Sequence, residues 1–159
     1  MTSANEPSET NNFLAAHANR LIASLHRWTG RDLVDRSLPP AERARRLFHA
    51  PFVVLSHDQS PDPLLNYANL AGLGLFELAW EELIRLPSRQ TAEPVHREER
   101  TRLLETVTRQ GYIDDYRGIR ISRTGRHFRI ERATVWNLLD ENDASSGQAA
   151  TFSEWQYLD

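Results

Sequence analysis

The chain has neither cysteine nor lysine, and each absence removes a block of chemistry. Without cysteine there is no disulfide, thiolate nucleophile, cysteine-ligated zinc or photochemical cysteinyl adduct. The composition fits a reducing cytoplasm, where the protein is expected to reside. Without lysine there is no phosphate-loop lysine and no Schiff base, since all 19 basic residues are arginine. No run of about 18 apolar residues occurs, so no membrane-spanning helix is expected. Met1 to Asn12 lacks both a basic start and an apolar core, which argues for a disordered tail and against a signal peptide. A formal net charge of -3 exerts no general pull on nucleic acid or anionic membrane.

What remains is one domain with extensions. A chain of 159 residues with 40% apolar and 26% charged residues is long enough to bury a core without metal or disulfide. Leu14, Ala18, Leu21, Ile22, Leu25 and Trp28 recur at spacings of three and four, which predicts a helix from Phe13 to Trp28 capped by Asn11 or Asn12. Its stripe either packs on its own domain or pairs with a second copy. A short arginine-rich helix, Ala41 to His49, ends before Pro51. Residues 13–50 are thus an N-terminal helical extension, and 51–155 the main domain.

Phe52 to Leu55 and Leu64 to Asn69 read as strands. Leu70 to Leu86 reads as short helices, and a longer helix from Pro94 turns Leu103, Leu104 and Val107 inward and closes at Gly111. Tyr112 to Arg123 alternates, with Ile119 and Ile121 opposite Arg120 and Ser122. After the turn at Thr124-Gly125, His127 to Leu139 returns as a long strand; Asp140 to Gly147 is a polar loop, and Gln148 to Trp155 the last strand. This order predicts an α+β fold: a five-stranded antiparallel sheet with short helices on one face.

Asn66-Tyr67-Ala68-Asn69 followed by Trp80-Glu81-Glu82-Leu83, and Arg126 to Trp136 after Thr124-Gly125, resemble the pattern of a PAS domain. Leu86-Pro87-Ser88-Arg89, Thr91-Ala92-Glu93-Pro94, Arg97-Glu98-Glu99-Arg100, Asp114-Asp115-Tyr116 and Val135-Trp136-Asn137-Leu138 resemble the MEKHLA domain more closely. That PAS-related family occurs as short bacterial proteins and as the C-terminal module of plant homeodomain proteins. Asp143-Ala144 departs from the Asp-Gly common in PAS hairpins. The resemblance, from about Pro51 to Trp155, implies a PAS-like module that senses a ligand or docks a partner.

On that reading Tyr67, Asn69, Phe76, Trp80, Tyr116, Phe128, Ile130 and Trp136 are candidates to line a cavity, the alternative being plain core. Among Arg117, Arg120, Arg123, Arg126, Arg129 and Arg132, one member, Arg120 or Arg132, is a candidate to reach an anionic group. The alternative is that they are edge charges paired with Asp114, Asp115 and Glu131. A non-covalent flavin or a small metabolite stays open as ligand; haem is disfavoured, since His96, the nearest axial candidate, reads as an exposed helix-start residue.

Catalytic constellations are weak. In Ser56-His57-Asp58 the strand turns His57 away from its neighbours, and Asp140 to Thr151 lacks the glycine and glutamate of a calcium loop. The chain is expected to be no enzyme. It reads as a ligand-binding sensor with a pocket near Phe76 and Trp80, or as an interaction module. The interaction module would be homodimeric or paired with a regulatory protein through Phe13 to Trp28 and the outer sheet face. No output domain follows residue 155, so a signal is expected to leave by protein contact.

Overall fold

The computed structural model describes residues 5–158. Five α-helices and six strands follow in order: α1 Ala15–Thr29, α2 Pro40–Phe48, β1 Val53–His57, β2 Leu65–Ala68, α3 Leu70–Phe76, α4 Trp80–Leu83, α5 Pro94–Gln110, β3 Tyr112–Ile121, β4 His127–Leu139, β5 Ser145–Phe152 and β6 Glu154–Leu158. A short 3-10 helix, Ser88–Thr91, precedes α5. Among the described residues no helix is long and apolar enough to cross a membrane.

The N-terminus differs from the expected tail. Of Met1 to Asn12, residues 1–4 lie outside the described residues; beyond them Pro7 is buried and Glu9–Leu14 is a short 3-10 segment kinked at Asn11 to Phe13. The backbone N–H of Ser8 donates to Asn11 Oδ1 at 2.9 Å, so Asn11 closes this turn, and Asn12 is left-handed. Neither asparagine caps α1, which starts from a left-handed Leu14.

Antiparallel pairing gives the sheet order β2-β1-β5-β4-β3. The expected last strand, Gln148 to Trp155, is two strands: a bend at Ser153 separates β5 from β6, which runs beside the first half of β4. The expected polar loop shrinks to a turn in which Asp140 Oδ1 accepts from the N–H groups of Asn142 and Ala144 at 2.8 and 3.0 Å. Asp143 itself adopts the left-handed conformation, φ 62°, that a glycine would otherwise supply.

Helices cover both faces. Leu55, His57, Val135, Asn137, Gln148 and Ala150 share one face by register, and Asn137 Nδ2 donates to the Val107 carbonyl of α5 at 2.9 Å. Ser56, Tyr67, Trp136 and Ala149 share the other, against α1. Trp28 Nε1 donates to the Asn137 carbonyl at 2.9 Å, and the Leu139 N–H donates to Ser24 Oγ at 2.8 Å. The apolar stripe of α1 is therefore spent on its own sheet: Leu21, Ile22 and Leu25 are buried, each worth roughly 1.5–3 kcal/mol. Gly111, φ 97°, ends α5 where a Cβ would stand 2.5 Å from the Trp28 ring, so only glycine lets α1 and α5 close on one strand end.

Two bulges set which residues face which way. Between Ile113↔Val135 and Tyr116↔Ala133, β3 carries one extra residue, with Asp115 at φ 55°. Between Tyr116↔Ala133 and Gly118↔Ile130 the extra residue is in β4, with Arg132 at φ 51°. Each inverts the period-two alternation of its strand. Beyond them Arg120, paired with Phe128, turns to the α5 face, and Ile119 and Ile121 turn away.

His17 fastens α1 to the sheet through Ser56 Oγ at 2.9 Å, and burial lowers its pKa from 6.5 to about 4. The folded protein thus resists a proton that the unfolded chain accepts. The associated stability is present above pH 6.5 and is lost as pH falls toward 4. Urea unfolding at stepped pH is expected to show a loss of roughly 3 kcal/mol across this window, much reduced in His17→Leu. An identical profile in that variant contradicts the assignment.

Candidate functional site

Between α5 and its face of the sheet lies a cavity of about 60 Å³. Leu55, Val135 and Ala150 form its floor, and Leu103, Leu104 and Phe76 its roof. Two cationic side chains, Arg100 and Arg120, and the His57 imidazole enter this apolar space from three different elements, all buried, with the half-buried Tyr116 beside them.

Arg100 occupies the inward stripe of α5, three, four and seven residues before Leu103, Leu104 and Val107. Its Nη2 donates to Ser88 Oγ at 2.9 Å, a neutral partner. Burial, followed by the positive charge of Arg120, pushes its pKa down to about 10, so it stays cationic at neutral pH. Arg120 Nη1 donates to the Ile119 carbonyl at 2.8 Å and Nη2 to Tyr116 Oη at 3.2 Å, and the guanidinium lies 5.7 Å from the Tyr116 ring centroid. Tyr116 Oη donates in turn to Glu99 at 3.0 Å, and burial raises its pKa. Gly118 makes room: a Cβ there would stand 2.2 Å from Tyr116 Oη. Among the described residues neither arginine has a carboxylate within ion-pair distance.

His57 alternates with Val53 and Leu55 on β1 and faces the same space. Its Nδ1–H donates to the Asp58 carbonyl at 2.8 Å. Burial lowers its pKa, so the ring is neutral and Nε2 carries a lone pair, and that atom is buried without a partner. The cavity lining therefore includes two cationic donor forks and, at His57, an acceptor with no partner, beside the polar groups of Ser56, Thr91, Tyr116 and Gln148.

Of the ten residues expected at a site, Phe76, Tyr116, Arg120 and Ile130 line the cavity. The other six lie elsewhere. Tyr67 and Trp136 are on the α1 face, Tyr67 with its ring 5.6 Å from His17, because both sheet faces are covered and alternation alone does not tell them apart. Trp80 packs edge-on to Tyr67 at 6.2 Å, and Phe128 is sealed between Phe76 and Tyr157. Arg132 points outward from its bulge, 3.8 Å from Glu154.

Asn69 is a fastener: its Oδ1 accepts from the N–H groups of Val54 and Gly72 at 3.0 and 3.1 Å. Its Nδ2 donates to the carbonyls of Leu47 and Phe52 at 3.1 and 2.8 Å. The other arginines of the series pair outside: Arg117 and Arg129 with Glu131, Arg123 with Glu82, and Arg126 over the Tyr157 ring. Asp114 pairs with Arg31 instead, and no ion pair to Asp115 occurs among the described residues. His57 and Arg100 were missed, although an arginine in an apolar helix stripe and a histidine alternating with buried strand residues were both visible signals. His96, in the first turn of α5, lies outside the cavity.

The cavity, as its side chains stand, is far below the roughly 300 Å³ at which pockets for larger small molecules begin, and its size suits a ligand of a few atoms. Against known proteins, the MEKHLA domain model matches residues 15–157. The chain is 29% identical over 96 residues to the homeobox-leucine zipper protein ATHB-9 of Arabidopsis thaliana, covering 60% of this chain and 11% of that protein. It is 25% identical over 145 residues to the homeobox-leucine zipper protein HOX10 of Oryza sativa subsp. japonica, covering 91% and 17%. It thus spans under a fifth of the curated relatives it matches.

Among solved structures, a PAS domain from Colwellia psychrerythraea superposes with a TM-score of 0.61 at 17% identity, covering 74% of this chain and 94% of that one. A light-oxygen-voltage domain studied with a flavin analogue gives 0.58 at 16%, covering 74% and 85%. An RNA-binding light-oxygen-voltage receptor gives 0.60 at 19%, covering 80% and 35%. These likenesses establish the PAS fold.

Asn69→Ala strands two buried N–H groups, removes the Asn69 donor from the Phe52 carbonyl and takes one of two donors from the Leu47 carbonyl, and is expected to cost about 3 kcal/mol or more in urea unfolding. A loss below about 1 kcal/mol contradicts the fastening role.

Proposed function

The chain belongs to the MEKHLA domain family, and on that premise we propose that it is a sensory module that holds a small ligand in the α5-face cavity and reports occupancy by protein contact. The observation that carries this reading is the set of buried polar groups turned into one apolar space: two guanidiniums without carboxylate partners and an imidazole nitrogen without any partner. A plain core avoids such groups, since each unpaired one is destabilising. A bound molecule that satisfies them converts that burden into affinity. Forks and an acceptor suit holding a ligand, and the role is binding without catalysis.

Occupancy has a route outward. Arg100 and Leu103 lie on α5, whose C-terminal cap touches Trp28 of α1, so a shift of α5 on binding bears on α1 as well. The receiving partner in this proposal is a regulatory protein or a second copy.

Native mass spectrometry of protein isolated without denaturation is the test. A small non-covalent adduct is expected, lost on denaturation and absent from Ala150→Leu, which fills the cavity. At a hundredfold excess over Kd the ligand adds about 2.7 kcal/mol, raising the unfolding temperature by several degrees. Bare protein alone, with no thermal response to any small metabolite, overturns the proposal.

A further inference from the structure

Resting on that cavity reading, we infer that the ligand is a short-chain hydroxycarboxylate, its carboxylate held by Arg100 and Arg120, its hydroxyl donating to His57 Nε2, and its carbon chain lying on Leu103, Ile130 and Val135. Three observations fix the chemistry. The first is charge: two buried guanidiniums line one space, and the groups bonded to them, Ser88 Oγ, Tyr116 Oη and the Ile119 carbonyl, are all neutral. Glu99 is reached only through the Tyr116 hydroxyl. A carboxylate accepts from guanidinium forks in the plane in which they donate, and it removes the repulsion between them.

The second is the direction of the hydrogen bond at His57. The Asp58 carbonyl only accepts, so the ring proton sits on Nδ1 and Nε2 is left as a buried acceptor that a donor on the ligand would satisfy. A carboxylate alone supplies none; a hydroxyl beside it does. The third is size and lining. A volume of about 60 Å³ holds only a few non-hydrogen atoms, and the remaining walls are mainly Leu, Ile, Val and Phe. Apolar walls favour a carbon chain over inorganic phosphate.

Calorimetric titration of the full chain with glycolate and lactate tests this, beside propionate, which lacks the hydroxyl, lactamide, which lacks the charge, and inorganic phosphate. Lactate or glycolate is expected to bind; propionate is expected to be roughly 5- to 10-fold weaker and lactamide roughly 10- to 100-fold weaker. Arg100→Met and Arg120→Met each weaken lactate by roughly 10- to 100-fold. Without ligand both variants keep or gain resistance to urea, because an unpaired buried cation is gone. His57→Leu abolishes the preference for lactate over propionate.

If lactamide or phosphate binds as well as lactate, the hydroxycarboxylate assignment falls. It also falls if neither arginine variant changes lactate affinity, or if nothing in the panel binds while the isolated protein still carries an adduct that Ala150→Leu removes; in each case the cavity reading stands. If nothing in the panel binds, the isolated protein is bare and no small metabolite raises its unfolding temperature, the cavity reading itself falls.

Discussion

The site depends on the paired bulges at Asp115 and Arg132. Running β3 from Ile113 in simple alternation would turn Ile119 and Ile121 toward α5 and Arg120 away. Hydrophobic burial favours that arrangement. The bulges impose the opposite one, burying Arg120 and Ser122 and leaving both isoleucines half-covered on the other face. Each places a non-glycine residue at positive φ, which costs roughly 1–2 kcal/mol. Because the two insertions lie on neighbouring strands within a few residues, the register is restored on either side and the rest of the sheet is undisturbed.

Arg100 repeats the theme from the opposite wall. The stripe that carries Leu103, Leu104 and Val107 onto the sheet also carries a guanidinium into it, with a neutral hydroxyl as partner. Isolated cations in an apolar interior are strongly disfavoured unless something negative joins them, and that cost is the ground of the proposed anion site. Around this site the fold is stiffly fastened: Asn69 ties β1 to the start of α3, and Trp28, Gly111 and Asn137 tie α1, α5 and β4 at one point.

Much of this fold was legible from local rules. The span of β4 from His127 to Leu139, the opening of α5 at Pro94 and its stop at Gly111 follow from alternation, proline at a helix start and glycine past its end. The break at Ser153 was not legible, because Gln148 to Trp155 contains neither glycine nor proline to mark it. Nor was the 3-10 segment at Glu9–Leu14, whose polar composition reads as tail. At the site, period-two alternation separates faces but does not say which is which when helices cover both, so Tyr67 and Trp136 read as cavity candidates and His57 does not stand out as one. Arg120 was legible as a candidate, but its inward turn rests on bulges, which leave no sure mark in Asp114-Asp115 or Arg132.

The PAS fold accommodates ligands of many sizes, and here large side chains leave room for only a few atoms. A high-resolution crystal structure of protein isolated without denaturation tests the central claim most directly. The account predicts both bulges in place and a small molecule within hydrogen-bond distance of the Arg100 and Arg120 guanidiniums. A β3 in plain alternation, with Ile119 and Ile121 against α5 and Arg120 in solvent, would contradict it.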